Sequence, residues 1–104
     1  MLTFLKNLFT PSPSVDLKEL VKKGAVIIDV RTPGEFAGGH IKGSKNIPLQ
    51  SLPNKINKIS KTKPVILCCA SGARSGSAKR MLKAQGFTDV HNGGGWHQLQ
   101  HKIN

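Results

Sequence analysis

The residues best suited to covalent chemistry are two adjacent cysteines, Cys68 and Cys69, followed by Ala70, Ser71, Gly72, Ala73 and Arg74. A disulfide between neighbours closes only through a strained eight-membered ring, so cross-linking explains them poorly. Cys68 lies inside the apolar run 64–68 and reads as an inert buried hydrophobe. Cys69 stands where that run gives way to small residues. With little side-chain bulk after it, successive backbone N–H groups can turn toward one point, and the positive end of the helix expected from near Ser75 adds to them. A thiol at that point ionises more readily than an ordinary cysteine, whose pKa is about 8.5, and Arg74 is the cation expected beside it. The donors that hold a thiolate also hold a persulfide or an incoming oxyanion, which suits nucleophilic transfer. This chemistry needs neither a metal nor a cofactor.

Elements that alternate along the chain must position this loop. Residues 17–23 form a short amphipathic helix, with Asp16 as its N-cap, Glu19 three residues on and Gly24 as its stop. The run 25–29 is a β-branched strand buried on both faces. Thr32, Pro33 and Glu35 are a cap, a first-turn proline and a capping-box acid, which start another helix. Ile47 and Leu49 anchor a brief edge strand, 51–59 is a further short helix, and 64–68 is the second buried strand. Residues 75–85 form a helix ended by Gly86, 89–92 is a third strand, and a glycine loop at 93–95 leads to a last helix. Strands alternating with helices imply an α/β domain whose mostly parallel central sheet carries helices on both faces. Ligands of such sheets sit beyond the carboxyl ends of the strands, where Asp29 and Cys69 both fall.

With 104 residues the chain supports one core, assigned to residues 15–104, and residues 1–14 read as an N-terminal extension and linker. Sixteen Lys and Arg against five acidic residues give a formal charge of +11, which attracts anions of every kind. The basic residues are scattered and no aromatic residues are interleaved for base stacking, so nucleic acid is not the expected partner. The apolar start, residues 1–10, is too short to span a bilayer and lacks the parts of a signal peptide, so no stable membrane insertion is expected and the expected location is the cytoplasm.

The segment Cys69-Ala70-Ser71-Gly72-Ala73-Arg74-Ser75 resembles the active-site loop of rhodanese-type sulfurtransferases. Residues 27–49 are similar to the family's upstream signature, Gly86-Phe87 to the end of its loop helix, and 90–99 to its C-terminal glycine-Trp segment. The likeness covers about 15–101 and implies a single-domain rhodanese fold. It makes Cys69 the nucleophile that takes a sulfane sulfur and the backbone from Ala70 to Arg74 the cradle. Asp29, Arg31 and Glu35 become supporting polar contacts, with Arg31 or Arg74 pairing with Glu35. His40 is expected to fix a turn, Trp96 to plug the core behind the glycine loop, and Gly93, Gly94 and Gly95 to allow a tight turn.

The resemblance also implies a two-step reaction: a small anionic donor such as thiosulfate loads Cys69, and a thiol, cyanide or protein acceptor unloads it. Rhodaneses count six residues from Cys to Arg, as here, whereas phosphatases of the same fold carry one more. A Cys-dependent phosphatase or arsenate reductase, and a noncatalytic rhodanese-like interaction module, are the alternatives. The second commonly lacks the cysteine.

Overall fold

The computed structural model describes residues 15–104, so the expected extension at 1–14 lies outside the described residues. The described chain runs α1 (Leu17–Lys22), β1 (Val26–Asp29), α2 (Pro33–Ala37), β2 (Lys45–Asn46), α3 (Leu52–Lys55), β3 (Val65–Cys69), α4 (Ala73–Ala84), β4 (Val90–Gly95) and α5 (Trp96–Ile103). Among the described residues no helix is long and apolar enough to cross a membrane.

The four strands form one sheet in the order β2-β1-β3-β4, and every pairing is parallel. Because successive strand residues face opposite sides, β1 and β3 feed two separate cores. Ile28, Leu67 and Cys69 face one side, packed with Leu52, Ile59, Ala78, Leu82 and Phe87. Ile27, Ile66 and Cys68 face the other, packed with Ile41 and Leu99 and bordered by Leu17, Leu20 and Trp96. Helix α4 therefore covers one face, and α1 and α5 cover the other. β3 is buried along its whole length, which is why its sequence shows a continuous apolar run and no polar alternation.

Local chemistry sets the ends of the elements. The Asp16 carboxylate accepts the Glu19 N–H at the start of α1, and Gly24 follows that helix at φ +97°. At α2 the capping box is complete: Thr32 Oγ1 accepts the Glu35 N–H while Glu35 Oε1 accepts the Thr32 N–H.

Several sequence expectations shift. β3 begins one residue later than expected and takes in Cys69 as its last residue. The edge strand is Lys45–Asn46, just before Ile47 and Leu49. Those two still donate to the Asp29 and Val30 carbonyls, but Pro48 between them has no N–H and the regular ladder stops. The helix expected at 51–59 is a single α turn flanked by tighter turns at 49–51 and 56–58. Helix α4 starts at Ala73, two residues before the expected point, because Gly72 takes φ +103° and caps it.

The glycine loop is the largest correction. Gly93, Gly94 and Gly95 belong to β4, where the register slips from Leu67 opposite Asn92 to Cys68 opposite Gly94, leaving Gly93 as an extra residue. A side chain at Gly93 would strike Leu99 and Ile66, with atoms at 2.9 and 3.0 Å, so the bulge packs directly on the core.

Candidate active site

Cys69 ends β3 and the chain then turns sharply into α4. Its sulfur accepts the Gly72 N–H at 2.9 Å and the Ser75 N–H at 3.5 Å, and the Ser75 hydroxyl lies 3.4 Å away. Only 1% of Cys69 is exposed. Burial opposes ionisation, but the Ser75 hydroxyl and the Ser75, Gly72 and Ser71 amides together outweigh it and hold the thiol below its usual range. The Ala73 and Arg74 amides, in the first turn of α4, have no acceptor within the helix. The loop thus offers donors both to a sulfur anion and to a charge arriving beside it.

The Ser75 hydroxyl has one proton and two claimants. It donates to Asn92 Oδ1 at 2.7 Å, and Oδ1 also accepts the Gly94 N–H at 2.9 Å, while Asn92 Nδ2 donates to the Gly72 carbonyl at 3.1 Å. These bonds fix which end of the Asn92 amide faces which group. When the sulfur is a neutral thiol its own proton can go to Ser75 Oγ. When the sulfur is anionic, a rotation of the hydroxyl brings the Ser75 proton to it, and Asn92 Oδ1 keeps the Gly94 N–H.

Gly72 and Gly95 show why the loop needs small residues. Gly72 sits at φ +103°, and a side chain there would come within 3.3 Å of Gly94 Cα. A side chain at Gly95 would meet the Ala70 carbonyl oxygen at 2.8 Å.

Arg74 takes one of the two pairings expected for Glu35. Its Nη1 and Nη2 donate to Glu35 Oε1 and Oε2 at 2.8 and 3.0 Å, and its charge and that of a Cys69 thiolate attract each other, while the amides make the direct contacts to the sulfur. Arg74, then the Thr32 amide, hold the Glu35 carboxyl down at about 2. Of the two arginines considered for Glu35, Arg74 takes its carboxylate, while Arg31 Nη1 reaches only the Glu35 carbonyl at 3.3 Å.

Arg31 and Asp29 form a second, buried pair, with side chains 5% and 0% exposed and Nη2 to Oδ2 at 2.7 Å. The same nitrogen donates to the Gly39 carbonyl at 2.7 Å, and the guanidinium stacks 4.7 Å above the Trp96 ring. This pair ties the end of β1 to α2 and to the start of α5. Trp96 is half-buried, packing against the core of that face while its ring forms a platform for Arg31. His40 Nδ1 lies 2.7 Å from the Phe36 carbonyl and its ring stacks on Phe36, a turn-fixing place.

Cys68 points to the opposite side of the sheet from Cys69 and is fully buried among Ile27, Ile41, Ile66 and Leu99. Burial, with Asp29 adding to it, pushes its thiol up to about 12. Both cysteines are free. No three His, Cys, Asp or Glu side chains among the described residues gather in a way that could hold a metal ion.

Ser75 and Asn92 are the site residues that sequence reasoning missed. Ser75 stands in the sequence as the last residue of the cysteine loop and the start of a helix, and Asn92 as the end of a strand in the 90–99 segment, neither with a role of its own. Nothing in their spacing announces a contact across 17 residues.

Residues 14–102 match the family model described as Rhodanese-like domain. The chain is 48% identical over 68 residues to the uncharacterized protein YqhL of Bacillus subtilis, an alignment covering 65% of this chain and 54% of YqhL. The chain thus spans about half the length of that relative. It is 42% identical over 76 residues to the thiosulfate sulfurtransferase GlpE of Stutzerimonas stutzeri, covering 73% of this chain and 70% of GlpE. Among solved structures, a rhodanese with anions from E. coli superposes with a TM-score of 0.68 at 35% identity, covering 72% of this chain and 91% of that one.

Proposed function

The chain belongs to the Rhodanese-like domain family, and on that premise we propose that it is a sulfurtransferase working through a persulfide on Cys69. It takes a sulfane sulfur from thiosulfate or a similar small anion and passes it to a thiol, cyanide or protein acceptor, with the cytoplasm as its setting. In the first step the Cys69 thiolate attacks the outer sulfur of thiosulfate. The new Sγ–S bond forms as the donor's S–S bond breaks, and sulfite leaves with the bonding pair. In the second, an acceptor thiolate attacks the outer sulfur of the persulfide, and Cys69 departs as thiolate. The two steps predict ping-pong kinetics.

The observation that carries this reading is the convergence of the Gly72 and Ser75 amides on Cys69 Sγ. They stabilise the attacking anion in the first step and the same anion as leaving group in the second. The near-complete covering of Cys69 favours a donor that presents a narrow terminal sulfur. Asp29, Arg31 and Glu35 act at a distance from the sulfur, holding β1, α2 and α4 in register around the loop.

Two features weigh against a phosphatase. The interval from Cys69 to Arg74 is six residues, and the Arg74 guanidinium is already engaged by Glu35. The presence of Cys69 weighs against a noncatalytic module.

Intact mass spectrometry after thiosulfate treatment tests the proposal. A gain of one sulfur atom, about 32 Da, is expected in wild type and in Cys68→Ser and is lost in Cys69→Ser. Cys69-dependent turnover of an aryl phosphate with no such gain overturns it.

A further inference from the structure

A second feature of the molecule plays no part in the sulfur chemistry. Alongside β2 and the first residues of β1, and just ahead of β3, lies a cleft of about 340 Å³. Its floor is aliphatic, formed by Val26, Ile28 and Ile59, and four exposed lysines line it: Lys45, Lys55, Lys58 and Lys63. They come from three separate parts of the chain, and Lys55 and Lys58 stand three residues apart on one turn, where like charges repel. The neighbouring cavity across Ile59 is larger, about 530 Å³, but holds a single lysine, Lys61.

The chain has no carboxylate to offer these lysines. It contains five acidic residues, all between positions 16 and 89. Asp16 caps α1, Glu19 pairs with Lys22, Asp29 with Arg31, Glu35 with Arg74, and Asp89 with His91. None lines the cleft. Four concentrated positive charges around an aliphatic floor are therefore matched only by a group from outside the chain.

We infer that this cleft docks an acidic protein segment, one that seats an aliphatic side chain on the floor and places carboxylates against Lys45, Lys55, Lys58 and Lys63. The combination decides the class of occupant. A nucleic-acid strand would satisfy the lysines, but it would find no aromatic surface to stack on and would leave the aliphatic floor facing polar sugar and phosphate. A single-headed amphiphile would engage the floor but not lysines spread over three parts of the chain. An acidic segment with an apolar centre uses both features.

The cleft lies along the β2 edge of the sheet, two strands away from β3, and none of residues 69–75 lines it. The spacing of the strands puts β2 about 10 Å across the sheet from β3. A partner seated there leaves the loop open, so docking and the chemistry at Cys69 proceed together and the inference stands whether or not Cys69 carries sulfur.

The test uses the full chain and a fluorescein-labelled peptide, Glu-Glu-Leu-Leu-Glu-Glu, followed by anisotropy. Binding is expected, with methyl NMR shifts at Ile28 and Ile59. It is expected to weaken about tenfold in Lys55→Glu/Lys58→Glu and by less than about twofold in Lys83→Glu/Lys102→Glu, which removes the same charge elsewhere. Replacing both leucines of the peptide by serine is expected to weaken binding several-fold, and replacing its glutamates by glutamine to abolish it. Sulfur loading of Cys69, read by mass, stays unchanged in both lysine pairs, which separates failure of this inference from failure of the persulfide reading. Equal weakening by the two lysine pairs, equal binding of the serine peptide, or tighter cleft-dependent binding of a single-stranded oligonucleotide or of laurate overturns the inference.

Discussion

Glu35 and Arg74, 39 residues apart, meet through two parallel hydrogen bonds of 2.8 and 3.0 Å, and each has an engagement of its own at the start of a helix. Glu35 closes the capping box of α2, and Arg74 sits in the first turn of α4, directly after the cysteine loop. The pair therefore joins two helix starts on either side of the site.

This pair predicts a particular acid response. The Glu35 carboxyl is held at about 2, below its ordinary value near 4.5, so its contribution to stability is present in full above the ordinary value. That contribution fades as pH falls and is gone below about 2. Urea midpoints of wild type and Glu35→Gln should differ by a constant amount from pH 5 to 8 and converge toward pH 2. A gap that persists at pH 2 removes the ion pair as its source.

The two thiols should behave as different functional groups. Cys69 is held below the usual cysteine range and Cys68 pushed up to about 12, so iodoacetamide at neutral pH should modify Cys69 alone in the folded protein. The pH midpoint of that reaction should lie below that of an ordinary cysteine. Cys68→Ala should keep sulfur transfer within about twofold and cost about 1 kcal/mol of stability, the price of a small buried group. Peptide mapping of the alkylated protein checks the first statement and denaturant unfolding the last.

Gly72→Ala should damage the loop more than the fold. At φ +103° an L-residue costs about 1–2 kcal/mol, and the new methyl would press on Gly94. If the turn relaxes, the Gly72 N–H leaves the sulfur. A hydrogen bond to a charged group is worth about 1.5–3 kcal/mol, so sulfur loading should slow by about tenfold or more. Single-turnover loading followed by mass reads this directly, and unchanged loading would remove the Gly72 amide from the mechanism.

Ser75→Ala separates the hydroxyl from the amides. Asn92 Oδ1 keeps the Gly94 N–H, so little is left unsatisfied and stability should fall by about 1 kcal/mol. The Cys69 thiol loses one donor and should titrate at higher pH. Alkylation and sulfur loading should then be several-fold slower at pH 6.5 and recover toward wild type at pH 9. Slowing that is equal at both pH values would show that the hydroxyl does not act through the ionisation of Cys69.

What could be read in the sequence followed from signals carried by neighbouring residues. The apolar run ending at Cys68 and Cys69, the capping box of Thr32 and Glu35, and the small residues after Cys69 each stated a local rule that the fold obeys. What could not be read depended on register between distant segments. The glycines at 93–95 look like a turn until β3 is alongside them, because a bulge exists only relative to a partner strand. Which of Arg31 and Arg74 takes the Glu35 carboxylate is not stated by adjacency, and Asn92 gives no sign that it reaches back to Ser75 and Gly72.

The alternation of β3 has one more consequence. Vicinal cysteines in a flexible loop could exchange a captured atom between themselves and release it as sulfide. Here the sheet stands between them, with Cys68 sealed among aliphatic side chains on the far side. On the persulfide reading proposed above, a sulfur accepted at Cys69 would meet no internal thiol to discharge it and would remain aboard until a visitor from outside collects it.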